Sequence, residues 1–148
     1  MLQNITYVFD RKADSFELLH HIQKEIKECF VIRQAQNRLI KDDEKKIRTL
    51  DLLEQEGEKL GEYEIEIDAK TRSHWKYKKN PKFRKKRTAR MQVRVLKQVE
   101  LLPTVSSKKG LSSIKLNLVE VREMDCSPSD KDPVVWRLWT NHPVDNLE

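Results

Sequence analysis

Asp10 is the residue of this chain best placed to do chemistry. Ile5, Thr6, Tyr7, Val8 and Phe9 have strand character, being all β-branched or aromatic, and they stop abruptly at its carboxylate. The pattern predicts a buried, rigid strand that holds the carboxylate in place near the surface. That suits a ligand for a hard cation such as Mg²⁺, which takes oxygen donors and usually only one or two protein carboxylates. The same placement suits a residue that merely begins a turn, and spacing alone leaves both readings open.

The elements around Asp10 are legible. Asp14 is in position to cap a helix, with Glu17 three residues on for a capping box. Phe16, Leu19, Ile22, Gln23 and Ile26 then recur at the i, i+3, i+4 spacing of an amphipathic helix. Residues 29–33, Cys29 to Arg33, read as a second strand. Strand, helix, strand over this length predicts a βαβ unit whose strands are parallel neighbours.

A second chemistry lies in the charge pattern. Thirteen of the 30 Lys and Arg residues fall within residues 69–99, which hold no Asp or Glu; the other 17 are outnumbered by all 24 acidic residues. A long block of one sign is the footprint of a polyanion binder, against the alternative of a solvated loop. Lys78, Lys79, Lys82, Arg84, Lys85, Lys86 and Arg87 are its densest part, interleaved nearby with Trp75, Tyr77 and Phe83. The two cysteines, Cys29 and Cys126, form no C-x-x-C pair, which fits a reducing cytoplasm and argues against a zinc site or a disulfide framework. No apolar run approaches the roughly 20 residues a membrane span needs, and no signal-peptide pattern opens the chain.

Beyond residue 33 the pattern predicts a polar loop over 34–44 and a short helix over 45–55, with Gly57 and Gly61 bracketing a turn. Tyr63, Ile65 and Ile67 alternate with acidic residues as a strand with one wet face. A long basic hairpin loop follows over 71–86. Ala89, Met91, Val93 and Val95 alternate next, then Ile114, Leu116 and Leu118. At Val119 and Val121 the phase shifts, the mark of a β-bulge. Residues 106–110 and 127–133 read as turns, and 134–140 as the last strand. On it Trp136 shares a face with Val134 and Leu138, as a core residue would, and Trp139 lies on the opposite face.

Three stretches carry a resemblance. Val8-Phe9-Asp10-Arg11-Lys12-Ala13-Asp14, then Phe30-Val31-Ile32-Arg33, then Trp136-Arg137-Leu138-Trp139-Thr140-Asn141-His142-Pro143-Val144 resemble, in order and spacing, motifs of the bacterial insertion-sequence DDE transposases. Each is weak alone; together they span nearly the whole chain. The resemblance implies an α+β fold. Residues 1–36 would be a short βαβ piece of a ribonuclease-H-like catalytic core, and residues 37–148 a mainly antiparallel β-sheet insertion domain.

The resemblance also implies function. The family cuts and joins DNA by phosphoryl transfer on two metal ions, Mg²⁺ or Mn²⁺, held by Asp, Asp and Glu. Asp10 matches the second aspartate, as catalytic residue and metal ligand. Arg33 matches an arginine on the DNA backbone near the cleaved end, and Trp136 a tryptophan that stacks on an extruded base. Gln34-Ala35-Gln36 departs from the family's more basic stretch at that point. The other two carboxylates have no match in the chain. It is therefore expected to be inactive alone, with no tightly bound metal, and to work as part of a transposase on duplex DNA at transposon ends in the cytoplasm, associated with the nucleoid. The alternatives are a stand-alone nucleic-acid-binding module, or a fragment that joins intact transposase and inhibits it.

If the basic block binds DNA, affinity falls steeply with salt as phosphate contacts release counterions. Replacing Lys78, Lys79, Lys82, Arg84, Lys85, Lys86 and Arg87 with Gln should flatten the slope of log affinity against log salt. Binding that is unchanged in this variant would place the contact elsewhere.

Overall fold

A computed structural model describes residues 5–69, 85–104, 110–125 and 133–147. The fold is mixed α+β and is built on one eight-stranded sheet in the order β1-β2-β8-β7-β6-β3-β4, with β5 also paired to β6. Strands β1 (Thr6–Phe9) and β2 (Cys29–Arg33) are parallel neighbours, as the strand, helix, strand pattern requires. Between them lie a 3₁₀ turn (Arg11–Ala13), helix α1 (Phe16–His21) and a π-helical continuation (Ile22–Ile26) that ends at Lys27 with φ 59°. Strands β5 (Glu58–Ile67), β6 (Arg87–Leu101), β7 (Ile114–Met124) and β8 (Val135–Thr140) are antiparallel neighbours in turn. Strand β8 also pairs antiparallel with β2, so one sheet runs through both expected parts of the chain, 1–36 and 37–148.

Several expectations are corrected. Strand β1 is an exposed edge rather than a buried strand: Val8 is 76% and Ile5 49% exposed, because β2 is its one partner among the described residues. Ser15, not Asp14, caps α1, its hydroxyl accepting from Leu18 N–H. Asp14 turns inward instead, to a buried ion pair with Arg38 and to the backbone N–H groups of Ala35 and Gln36. Residues 34–48 are no loop and helix start. They contain a tight hairpin, β3 (Leu39–Asp42) and β4 (Lys45–Arg48), and helix α2 begins only at Thr49 (Thr49–Glu56). Asp43 takes the positive φ of that turn, 49°, without the glycine that would have announced it.

Gly57 follows α2, and Gly61 lies inside β5 instead of in a turn. A Cβ on Gly61 would come within 2.6 Å of Leu147 Cδ1, so the bare backbone lets the C-terminal segment lie flat against the strand. The bulge is on β6, where the register with β7 shifts between Leu96 and Val99 and Gln98 has φ 53°. The change of phase on β7 has another cause: the strand stays in register with β8, but the face it buries changes. Ile114, Leu116 and Leu118 pack under the helices with Phe16, Leu19 and Leu53. Val119 and Val121 face the other way, in a second cluster with Ile67, Met91 and Val93. The turns expected at 106–109 and 127–132, and the basic loop over 71–84, lie outside the described residues.

Where β7 changes face, Glu120 is buried beneath the helix side of the sheet. Arg94 and Arg137 stand directly opposite it on β6 and β7's other neighbour β8. Arg94 Nη2 donates at 2.7 Å, Arg137 Nε at 2.8 Å and Arg122 Nη2 at 3.3 Å, and Glu54 of α2 closes the cluster over Arg94 at 2.8 Å. Burial pushes the Glu120 carboxyl up, but the hydrogen bonds from the three arginines outweigh it and hold it below the ordinary range. A carboxyl depressed on folding contributes its full stabilisation above the ordinary glutamate range and loses it as pH falls through the depressed value. Removing one partner of such a cluster costs about 3–5 kcal/mol. Glu120→Gln should therefore lower the melting temperature at neutral pH, and the gap to wild type should close as the solution is acidified. An equal gap at every pH in thermal melts would mean that the charge is not what matters.

Candidate functional site

The ends of β1, β2 and β8 form an open groove of about 360 Å³ on the sheet face opposite the helices. Its construction follows from strand alternation. Val8 lies opposite Val31, and Arg33 lies opposite Leu138, so these four side chains share one face. Trp136 joins them two residues before Leu138. Phe9, Ile32 and Trp139 fall on the other face, against the helices. Asp10 stands at the mouth, where β1 ends, and also lines the groove.

Three of the sequence-predicted residues, Asp10, Arg33 and Trp136, thus line one groove, although Asp10 and Trp136 are more than a hundred positions apart. Trp136 is 40% exposed, and Trp139 is completely buried with its indole N–H lacking an acceptor among the described residues. Asp10 is exposed and caps the 3₁₀ turn, its Oδ1 accepting from Arg11 N–H at 2.7 Å. It therefore does begin a turn, and the cap leaves its second oxygen uncommitted to that bond. The side chain of Arg33 makes no hydrogen bond or ion pair among the described residues, neither to Asp10 nor to Asp14. Arg33 is a half-buried residue among valine and leucine side chains with no carboxylate on it, which leaves its guanidinium chemically able to take an anion.

The basic block stands apart from this groove in its chemistry. Lys78, Lys79, Lys82 and Arg84 lie outside the described residues, and Lys85 is exposed. Lys86 meets Glu66 at 3.1 Å, and Arg87 donates to Glu123 at 2.7 Å. Further along β6, Arg90 meets Glu62 at 3.2 Å and Lys97 meets Asp145 at 3.2 Å. Where the block is described, Lys86 and Arg90 lie against glutamates of β5, Arg87 against Glu123 of β7 and Lys97 against Asp145, while Lys85 is exposed. Lys86 and Arg87 thus face carboxylates, the first pair open to solvent and the second largely buried.

The resemblance implies a metal ion at Asp10. Among the described residues no three His, Cys, Asp or Glu side chains gather at one point. Asp10 is one carboxylate, and one of its oxygens is already engaged by a backbone N–H. The described residues do not by themselves make a site for Mg²⁺ or Mn²⁺, and no step through a metal is derived from them. What the groove can do is hold a flat apolar group against Trp136 and the aliphatic wall, with an anion on Arg33. Sequence reasoning missed that wall (Val8, Val31 and Leu138), although the period of two from Arg33 and Trp136 would have found Val31 and Leu138. It also missed Glu120, whose one signal was a charge inside an apolar run.

The two tryptophans should respond differently to truncation. Trp139→Ala removes a fully buried indole and should cost about 3–5 kcal/mol, a large part of a domain's total of about 5–15 kcal/mol. Trp136→Ala should leave the melting temperature within a few degrees. A similar fall for both in thermal melts would make Trp136 a core residue. No protein-family model matches this chain, and no curated protein matches it.

Proposed function

We propose that this chain is a segment of a DDE-type transposase that supplies the second catalytic aspartate, Asp10, and grips the transposon end. In this reading a base drawn out of the duplex stacks on Trp136, and the phosphate beside it pairs with Arg33. The observation that carries the reading is the convergence of the three stretches that resemble the family: each lends one residue to a single groove. The chemistry of that groove suits the role. An extruded base needs an aromatic face and an apolar wall, and its phosphate needs an uncommitted cation. The ribonuclease-H-like core belongs to the same proposal, as does the cytoplasmic, nucleoid-associated setting. Among the described residues no helix is long and apolar enough to cross a membrane. Asp10 would act as one ligand of a metal site that other segments complete.

The stand-alone module is the weaker reading. It rests on the basic block, of which Lys86, Arg87 and Arg90 meet Glu66, Glu123 and Glu62.

The test compares binding to a duplex with an unpaired base near its end against the same duplex fully paired. Stacking of one base is worth about 1–3 kcal/mol, so Trp136→Ala should weaken the first by roughly 5- to 150-fold and the second far less. Arg33→Ala should weaken both. Equal binding of the two duplexes by wild type and by both variants would sink the proposal. Calorimetry supplies a second check. With its partner carboxylates elsewhere, Asp10 should bind Mg²⁺ very weakly, and Asp10→Asn should hardly alter the heat. A tight site lost in that variant would mean the chain holds the metal by itself.

A further inference from the structure

Asp10 and Arg33 sit at the ends of two parallel strands, β1 and β2, and the chain leaves each strand by a different route. After Asp10 it makes the 3₁₀ turn; after Arg33 it passes through Gln34, Ala35 and Gln36 towards β3. Parallel strand ends are held side by side by the ladder only as far as the ladder runs, and its last pair is Phe9 with Ile32. Both site residues lie one position beyond it, with Arg33 still held from the β8 side, opposite Leu138.

One buried side chain reaches both exits. Asp14 Oδ2 accepts from Ala35 N–H at 2.6 Å and from Gln36 N–H at 3.1 Å, immediately past Arg33. Its own N–H donates to Arg11 O at 3.1 Å, inside the turn that Asp10 caps, and Ala13 N–H donates to Asp10 O at 3.0 Å. The remaining oxygen and the carbonyl of Asp14 are taken by Arg38: Nη2 donates to Oδ1 at 2.7 Å and to the carbonyl at 2.6 Å, and Nε to Oδ1 at 3.2 Å. Arg38 is fixed in turn, since its carbonyl accepts from both Thr49 N–H and Thr49 Oγ1 at the start of α2. A helix cap or a surface carboxylate would need none of this. The geometry points to Asp14 as the positioning residue that sets Asp10 against Arg33, with Arg38 as the anchor that keeps its carboxylate aimed at the two exits. The functional part of this inference rests on the proposed DNA-gripping role of the groove.

The test reads two amides that are not hydrogen-bonded to Asp14. Ala13 N–H reports on the Asp10 side, and Gln34 N–H, which donates to Arg137 O at 2.7 Å, reports on the Arg33 side. In Asp14→Asn both should exchange with solvent about tenfold faster or more, while amides of Val93 and Val121 in the β6–β7 ladder keep their protection. If Asp14→Asn lowers protection throughout, Arg38→Lys keeps the charge but loses the forked contact, and it should speed the same two amides by a smaller factor. Unchanged exchange at Ala13 and Gln34 in a variant that keeps the β6–β7 ladder would overturn the positioning role. A double-mutant cycle then carries the result to function. Arg33→Ala should weaken DNA binding less in the Asp14→Asn background than in wild type; equal factors in the two backgrounds would overturn the link to binding. If Arg33→Ala is silent already in wild type, the DNA reading of the groove fails, while the exchange result stands or falls independently of it.

Discussion

Strand β2 is hydrogen-bonded on both sides, to β1 in parallel and to β8 in antiparallel sense, and the rest of the molecule depends on that double pairing. Parallel pairing to β1 needs a crossover, which the helical segment supplies; antiparallel pairing to β8 needs the chain to return after more than a hundred residues. The return is secured by side chains at the end of β8. Thr140 Oγ1 donates to Phe30 O at 2.7 Å, and Asn141 Oδ1 accepts from Phe30 N–H at 2.9 Å. Asn141 Nδ2 also donates to Glu28 O at 2.9 Å, so one amide side chain fastens both the start of β2 and the turn before it. Without this seam the βαβ piece would have no sheet to join, and Trp136 would have no reason to stand near Arg33.

The sheet that results has two unlike faces. One is sealed by α1 and α2 over Phe30, Ile32, Leu118 and Trp139, all buried. The other is covered in part by the C-terminal segment, where Leu147 lies on Gly61 and Asp145 meets Lys97, and the groove is left open beside it. Large apolar side chains left open singly are ordinary; Val8 and Trp136 are notable because they adjoin each other's groove and an unpaired cation. The edges of the sheet show a related contrast. Lys45, Lys46 and Arg48 on β4 and the glutamates of β5 protect those edges with charge, while residues 5–9 carry none.

Electrostatics separates Arg33 from Arg38, Arg87, Arg94 and Arg137. Arg94 and Arg137 share the buried Glu120, Arg87 holds Glu123, and Arg38 holds Asp14. Each of those pairs is drawn together because an uncompensated charge under cover is expensive, several kcal/mol for one ion. Arg33 is half-buried and lacks such a partner among the described residues. The same physics that makes the paired arginines structural makes Arg33 a candidate for binding, since an incoming anion would gain what no side chain of this region supplies.

The sequence by itself determined the local elements: the strand ending at Asp10, the apolar helical stripe from Phe16 to Ile26, the alternation of β5, β6 and β7, and the side-chain chemistry that Asp10, Arg33 and Trp136 bring to them. Each is written in a period of two or 3.6 and in side-chain chemistry, which a linear reading can detect. The β3–β4 hairpin escaped because its turn, Asp43-Glu44, has no glycine, and because Lys45, Lys46 and Arg48 mask the short apolar pattern of an edge strand. Other features were decided only by tertiary structure. Whether Asp14 caps a helix or pairs with Arg38 depends on a partner 24 residues on. Whether Lys86, Arg87 and Arg90 stand free or meet carboxylates depends on which strands lie beside β6. That Trp139 is the core tryptophan and Trp136 the open one depends on which face of β8 the helices cover. These are long-range choices between states of similar local energy, settled by burial and charge pairing, and no local pattern encodes them.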